Sequence, residues 1–384
     1  MLVSASIIYL NQTNKADRYE VEIKKLFEEV KAGISKLRNL TTTEPIVLRI
    51  VDKHFFERSA GEGLDELKKA REALYKALLL VPQDFSISSY EREKAGLVLA
   101  ASSAYTLYVV KDYLNPSSED SRRVLAHEYM HILQYGKVKQ PQHISLDSYL
   151  AWSALVEGEA DLVADLYTSN KTGRISLTPP QFEKPKSWSN SLLIDRLTYF
   201  PYVYGERFAY TLYRTGGWAA LNRAHLNPPT STAEILNPEL YLSSYEPNYP
   251  HNPAPNVSGW KIYYPDILGA FFFNLFLTRI TYSDLGLEFT YRWLGDNSTL
   301  YLDEKDHLLY WQINISDIEY ARTVKHILID GILKEASSKW GCIFHIGGIY
   351  ITILSQDSKI LIVSTSSLDL AEEASKDLLV KGFI

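Results

Sequence analysis

Cysteine is almost absent from this chain of 384 residues, since Cys342 is the only one. A single thiol cannot form an internal disulfide, and it cannot supply the ligand set of a zinc finger or an iron–sulfur cluster. Basic residues are in slight deficit, with 40 Lys and Arg against 46 Asp and Glu and a formal charge of −6. This balance argues against nucleic acid or an anionic membrane as the main partner. Any metal must therefore be held by His, Asp and Glu side chains.

Long apolar runs are also lacking. The strongest one, residues 267–277, has 11 residues and includes Asn274, so it is too short to span a bilayer. Residues 1–10 are apolar but have neither a basic region nor a small-residue cleavage site, which favours a first strand over a signal peptide. We therefore expect a cytoplasmic protein with no membrane span. At 46% hydrophobic and 22% charged residues, the composition is that of a globular protein.

The first part of the chain alternates helix and strand patterns. Helices are predicted where apolar residues recur at a spacing of three and four, and strands where short β-branched runs occur. Ser118 followed by two acidic residues is a typical helix start. The predicted elements are a helix over 19–37, a strand over 46–51, a helix over 64–80, strands over 96–101 and 105–113, and helices over 118–133 and 146–167.

The composition changes in the middle of the chain, where 12 of the 16 prolines lie between Pro179 and Pro265 among many aromatic residues. This predicts short helices and ordered irregular chain, with Ser231 and Glu234 forming a capping box. From about residue 296 the pattern is strand, helix, hairpin, strand and helix, with Gly347-Gly348 as a hairpin loop. We predict an α+β fold with an α/β lobe over 1–137, a mainly helical lobe over 138–295 and a small α+β module over 296–384.

One motif carries the strongest chemical signal, the H-E-x-x-H of His127-Glu128-Tyr129-Met130-His131. Residues i and i+4 lie on one face of a helix, so both imidazoles can bind the same ion. Glu128 lies near that ion and can take a proton from a bound water. The ordinary alternative is a surface helix that happens to carry two histidines.

A catalytic zinc ion usually takes a third protein ligand and leaves one position for water. On the next predicted helix, Glu157 and Asp161 are four residues apart and share a face. Glu157 is therefore the candidate third ligand, and Asp161 can hold a ligand imidazole through its other ring nitrogen. Glu159 is rotated by roughly 200° from Glu157, and we expect it to be a solvated carboxylate.

The H-E-x-x-H motif followed by a helix with E-x-x-x-D resembles the gluzincin group of zinc metallopeptidases, which includes thermolysin. The resemblance covers only these two helices. It implies a zincin-like fold in which His127, His131 and Glu157 bind Zn²⁺. It also implies that Glu128 is the general base that activates a zinc-bound water. In this group the strand before the active-site helix, here Thr106–Val110, forms the rim of the cleft and pairs with an extended substrate.

Three further segments resemble a set of poorly characterised prokaryotic H-E-x-x-H proteins: Tyr202-Val203-Tyr204-Gly205, Gly216-Gly217-Trp218 and Pro228-Pro229-Thr230-Ser231-Thr232. In those proteins the last segment continues to a His-Pro pair, whereas this chain reads Asn237-Pro238. The role of that histidine therefore does not carry over to this chain.

Peptide hydrolysis also needs a side chain that donates a hydrogen bond to the developing oxyanion. Tyr204 and Tyr202 are the first candidates because they follow the ligand helix, and Tyr204 is the predicted catalytic donor. His225 and His251 come next. With 27 tyrosines in the chain, packing is the ordinary alternative role for either tyrosine.

The sequence thus predicts a zinc-dependent metallopeptidase, a hydrolase whose partner is a peptide or protein substrate. Two alternatives stay open at the level of the sequence. One is a zincin-fold binding or scaffold protein with little or no proteolytic activity, and the other is a zinc hydrolase for a non-peptide amide or ester. The chain contains neither a phosphate-binding loop motif nor the nucleophile motif of the serine hydrolases.

Overall fold

The computed structural model describes residues 2–60, 66–142, 144–169, 191–251, 254, 261–282, 290–303 and 306–384. Within them the fold is mixed α+β, with a three-stranded and a seven-stranded sheet. The helices are α1 (Leu2–Arg38), α2 (Phe55–Ser59), α3 (Glu66–Ala77), α4 (Ile87–Ala95), α5 (Glu119–Gln134), α6 (Leu146–Ser169), α7 (Ser191–Leu226), α8 (Thr232–Leu236), α9 (Pro238–Leu242), α10 (Gly269–Thr281), α11 (Ile318–Leu333) and α12 (Leu368–Val380). The strands are β1 (Val47–Val51), β2 (Ala100–Ser103), β3 (Thr106–Val110), β4 (Lys261–Asp266), β5 (Trp293–Leu302), β6 (His307–Ile315), β7 (Ser338–Trp340), β8 (Ile343–Ile346), β9 (Ile349–Gln356) and β10 (Lys359–Thr365).

Helix α1 begins at Leu2, so the expectation of a first strand over residues 1–10 is wrong for the described residues 2–10. An apolar run of this length does not by itself distinguish a strand from a helix. Here it continues into the amphipathic helix predicted over 19–37, and extending a formed helix costs far less than starting one. The predicted apolar stripe does form the buried face of α1: Ile23, Leu26, Phe27, Val30 and Ile34.

The small sheet has the order β1-β3-β2, with β3 in the centre, parallel to β1 and antiparallel to β2. Strands β1 and β3 lie where the sequence predicts them, but β2 spans Ala100–Ser103 and shares only two residues with the strand predicted over 96–101. Both edges of β3 are paired, so the expectation that Thr106–Val110 pairs with a substrate is wrong. Within the described residues the open edge next to α5 belongs to β2.

From Ser191 to Leu226, α7 replaces the short helices and irregular chain that we expected over 179–265, whereas the short helix α8 begins with the predicted capping box of Ser231 and Glu234. Residues 170–190 lie outside the described part of the chain. Pro201 lies inside the helix, and buried apolar side chains at helical spacing compensate for its missing backbone donor. Two helices meet within α7 at a kink at Gly216-Gly217, where neither glycine is helical and Gly217 has φ +59° and ψ −158°, a conformation that favours glycine.

Helices α6 and α7 touch backbone to backbone at two glycines. A Cβ atom on Gly158 would lie 2.0 Å from the carbonyl carbon of Gly205. A Cβ atom on Gly205 would lie 2.2 Å from the carbonyl oxygen of Ala154. Because neither position has room for a side chain, the crossing brings α7 close to the part of α6 that carries Glu157.

The large sheet has the order β4-β5-β6-β10-β9-β8-β7, and all its neighbouring strands are antiparallel. Strands β6, β8, β9 and β10, helices α11 and α12 and the Gly347-Gly348 hairpin loop confirm the predicted C-terminal pattern, whereas β7 was not predicted. The sheet is wider than predicted, since β4 begins at Lys261. The domain boundaries at 137 and 295 stay predictions. No helix in the described ranges is both long and apolar enough to cross a membrane.

Candidate metal centre

Helix α5 begins and packs as its sequence predicts. The Oγ atom of Ser118 accepts a hydrogen bond from the Ser121 N–H at 3.0 Å, which caps the helix. Leu125, Tyr129 and other apolar side chains on one side of α5 are buried against α1, β3 and α6. Because that face is held in the core, the histidines of the motif are directed towards α6.

His127, His131 and Glu157 come together between α5 and α6. The Nε2 atoms of the two histidines lie 2.9 Å apart. Oε2 of Glu157 lies 3.2 Å from the first Nε2 and 3.1 Å from the second. In the part of the chain that the structure describes, this is the only group of three or more His, Cys, Asp or Glu residues whose ligand atoms converge in this way.

The size and chemistry of this triangle suit a zinc ion. Ligand bonds to zinc are about 2.0–2.1 Å long, so the ligand atoms of a tetrahedral site lie about 3.3 Å apart. The three observed distances of 2.9, 3.1 and 3.2 Å are close to that value. Two imidazoles and one carboxylate form a typical catalytic donor set, whereas structural zinc sites usually have four protein ligands.

The second ring nitrogen of each histidine has its own hydrogen-bond partner. His127 Nδ1 lies 3.0 Å from Oδ1 of Asp161, and His131 Nδ1 lies 2.9 Å from Oε1 of Gln134. An ionised carboxylate only accepts, so the proton of a neutral His127 lies on Nδ1 and its Nε2 is free for a metal. Asp161 therefore lies where the sequence places it, and the Arg123 guanidinium holds it at 2.9 Å.

The metal-free cluster is an ion-pair network. Burial lowers the pKa of His127, but hydrogen bonds to Asp161 and Glu157 outweigh burial and raise it to about 10. Burial raises the pKa of Glu157, but hydrogen bonds from His127 and His131 outweigh burial and lower it to about 2. The imidazoles thus hold protons that a bound cation would displace, which makes metal binding dependent on pH.

A residue on the edge strand β2 of the small sheet holds the Glu128 side chain by a hydrogen bond. The Ser102 hydroxyl on β2 donates a hydrogen bond to Oε2 of Glu128 at 2.8 Å. No local sequence pattern marks Ser102, because its partner lies 26 positions away and only the pairing of β2 with β3 brings it over α5. The contact places the open strand edge directly beside the carboxylate.

The backbone of β2 offers hydrogen-bonding groups along that edge. The Leu99 carbonyl accepts from the Val110 N–H at 2.9 Å, so these two residues form a hydrogen-bonded antiparallel pair. Such pairs alternate with pairs whose N–H and C=O groups point outwards. The N–H and C=O groups of Ala100 and Ser102 therefore point away from β3, towards the open edge.

Tyr204 lies in the core rather than at the cluster. It is 5% exposed, and its ring centroid lies 5.3 Å from that of Phe200 and 5.6 Å from that of Phe271. The structure thus does not bring the predicted catalytic donor to the metal ligands. Its position is explained by packing, the ordinary role of a buried tyrosine.

Tyr202, the other tyrosine considered, does lie at the cluster. Its ring is nearly parallel to that of His127, with centroids 6.1 Å apart and an angle of 21° between the planes. Burial, together with the negative charges of Glu157 and Glu128, raises the pKa of Tyr202 well above its usual value. The hydroxyl therefore keeps its proton and can act as a hydrogen-bond donor. Tyr202 is 39% exposed, so solvent and ligands can reach it.

Glu159 is fully buried, contrary to the expectation of a solvated carboxylate. It lies 2.6 Å from Nη2 of Arg38, 2.9 Å from Nε2 of Gln134 and 2.5 Å from Nε2 of His225. Burial raises the pKa of Glu159, but the hydrogen bond and charge of His225 outweigh burial and lower it. The guanidinium of Arg38 also stacks on Trp218 at 4.3 Å.

These partners explain why Glu159 is buried although its position on the helix predicts a solvated carboxylate. Arg38 and His225 lie 121 and 66 positions from it, so no local pattern could reveal them. Gln134 could have been found, since it follows His131 by three residues and so lies on the same helix face. His225 belongs to this buried network, and His251, the last candidate donor, is exposed.

No family model, no curated protein and no solved structure matches the chain. The resemblance to gluzincins therefore depends on the motif residues of α5 and α6. Assignment of a function depends on the side chains around His127, His131 and Glu157.

Proposed function

We propose that the protein is a zinc-dependent metallopeptidase whose N-terminal lobe is zincin-like. The observation that carries this proposal is the convergence of His127 Nε2, His131 Nε2 and Glu157 Oε2 within 3.2 Å. Glu128, the next residue after the first histidine, lies beside an open strand edge. A metal site, a general base and a surface for an extended chain thus occur together.

Each residue at the site has a separate role in the proposed reaction. His127, His131 and Glu157 would hold Zn²⁺, which when bound would polarise the attacking water and the scissile carbonyl. Glu128 accepts the proton of the attacking water and returns it to the leaving amine. Ser102 holds one oxygen of that carboxylate in place through its hydroxyl.

The open edge of β2 favours an extended polypeptide as the substrate. A substrate segment that adds to β2 would use the outward N–H and C=O groups of Ala100 and Ser102. Backbone hydrogen bonds of this kind recognise a peptide chain but not a small ester. This feature supports peptide hydrolysis over the alternative of a non-peptide amide or ester substrate.

Tyr202 takes the role for which Tyr204 was predicted. Its ring is nearly parallel to that of His127 with centroids 6.1 Å apart, and its hydroxyl is a hydrogen-bond donor. We therefore assign to Tyr202 the hydrogen bond that stabilises the oxyanion of the tetrahedral intermediate.

Digestion of a peptide library by the zinc-loaded protein tests the proposal. The Glu128→Gln variant should bind zinc as the parent does but should lose hydrolysis. Asp120→Asn is the matched control, because Asp120 is an exposed carboxylate in the first turn of the same helix. Hydrolysis by Glu128→Gln at the parent rate would refute the mechanism. A parent that binds zinc and cleaves no peptide would instead favour the scaffold alternative.

A further inference from the structure

His131 can present a lone pair on Nε2 only when its proton lies on Nδ1. In the structure Nδ1 of His131 faces Oε1 of Gln134 at 2.9 Å. If the amide of Gln134 were turned over, its NH₂ group would face Nδ1 and favour the opposite tautomer. The orientation of this amide therefore decides whether His131 is ready to bind a metal.

Two acceptors determine how the Gln134 amide lies. Its Nε2 atom is 3.0 Å from the carbonyl oxygen of Val156 and 2.9 Å from Oε2 of Glu159. A carbonyl and an ionised carboxylate can only accept hydrogen bonds. A turned amide would direct its oxygen at both of them, so the surrounding hydrogen bonds favour the orientation with Oε1 towards His131.

Glu159 is in turn held by residues from α1 and α7. Arg38 donates to Oε1 at 2.6 Å, and the side chains of Arg38 and Glu159 are both completely buried. His225 Nε2 lies 2.5 Å from Oε2, and Arg38 also donates to the Asn222 side chain at 2.9 Å. Charge-assisted hydrogen bonds of this kind are short and directional, so the carboxylate has little freedom to move.

We propose that Glu159 is a positioning residue for the metal centre. Through the amide of Gln134 it holds His131 in the Nδ1–H tautomer and so directs Nε2 at the metal. Arg38 and His225 contribute by holding the Glu159 carboxylate in place. This inference rests on the zinc site of the proposed function, but it does not require the protein to hydrolyse peptides.

Zinc dissociation constants, measured by competition with a chromogenic chelator, test the inference. Gln134→Met removes the amide at similar volume and should weaken zinc binding about 10- to 100-fold, as is typical when a metal ligand loses its hydrogen-bond partner. Gln312→Met is the matched control, since Gln312 is also buried but lies on β6 of the large sheet. It should leave zinc binding unchanged.

Glu159→Gln provides a second variant of nearly the same shape. Its amide can donate as well as accept, so Gln134 could turn over and zinc binding should again weaken. Thermal unfolding of each metal-free variant shows whether it is folded, and if one variant does not fold, the other decides. Parent-like zinc affinity in the folded variants would overturn the inference. A parent that binds zinc without cleaving peptides would refute only the peptidase, and a parent that binds no zinc would refute both.

Discussion

The crossing of α6 and α7 should not tolerate a single added methyl group. Gly158→Ala would place a Cβ atom 2.0 Å from the carbonyl carbon and 2.1 Å from the carbonyl oxygen of Gly205. Ordinary van der Waals contact begins near 3.4 Å. The opposing atoms are helix backbone and cannot rotate away as a side chain can, so the helices must separate.

Two effects of opposite sign determine the size of the loss. Overpacking typically costs about 1–3 kcal/mol, and we expect the upper part of that range because the contacted atoms are backbone. Alanine favours a helix over glycine by about 1 kcal/mol, which offsets part of the cost. The free energy of unfolding of Gly158→Ala should therefore fall by about 1–2 kcal/mol.

Urea unfolding of the metal-free protein measures this loss, and Gly96→Ala is the control. Gly96 has a right-handed helical conformation, and an added Cβ atom would meet only the end of the Glu57 side chain, which can move. Because Glu157 precedes Gly158, the variant should also bind zinc more weakly. A Gly158→Ala protein as stable as the parent would refute the close crossing of α6 and α7.

Three further predictions concern catalysis, metal binding and pH. Tyr202→Phe should lower the rate of peptide hydrolysis by about 10²- to 10³-fold, the usual effect of losing an oxyanion donor, whereas Tyr204→Phe should change it little. Zinc at about 100 times its dissociation constant should raise the free energy of unfolding by about 2.7 kcal/mol, and Glu157→Ala should lose this gain. Burial and the charge of Asp147 raise the pKa of Asp296 from 3.8 to about 7. The stability that this group contributes is present below its unfolded pKa and is lost as the pH rises through about 7. Asp296→Asn should therefore make the free energy of unfolding in urea less dependent on pH between 3.8 and about 7. An unchanged pH dependence would contradict this assignment.

The local features of the site could be predicted because they depend on helix geometry alone. His131 is four positions after His127 and Asp161 four positions after Glu157, and a helix places each pair on one face whatever surrounds it. The Ser118 cap is equally local. The same reason explains why the C-terminal strands were predicted, since their apolar runs and the Gly-Gly loop are properties of neighbouring residues.

Other features escaped prediction because they depend on residues far apart in the chain. The open edge belongs to β2 because β1, more than fifty positions before β3, pairs with the other side of β3. Proline content suggested an irregular segment where packing against α6 instead supports a long helix, α7. The same helix brings Tyr202, rather than Tyr204, to His127.

The sequence by itself determined which residues can bind a metal, since the 3.6-residue period of the helix decides which side chains share a face. Only the tertiary structure decided what surrounds them. The residues next to Glu159 in sequence are typical of a solvated carboxylate, yet Glu159 is buried in contact with Arg38 and His225. Periodicity determines the direction of a side chain about its own helix axis, but the packing of distant helices determines whether it meets water or another charge.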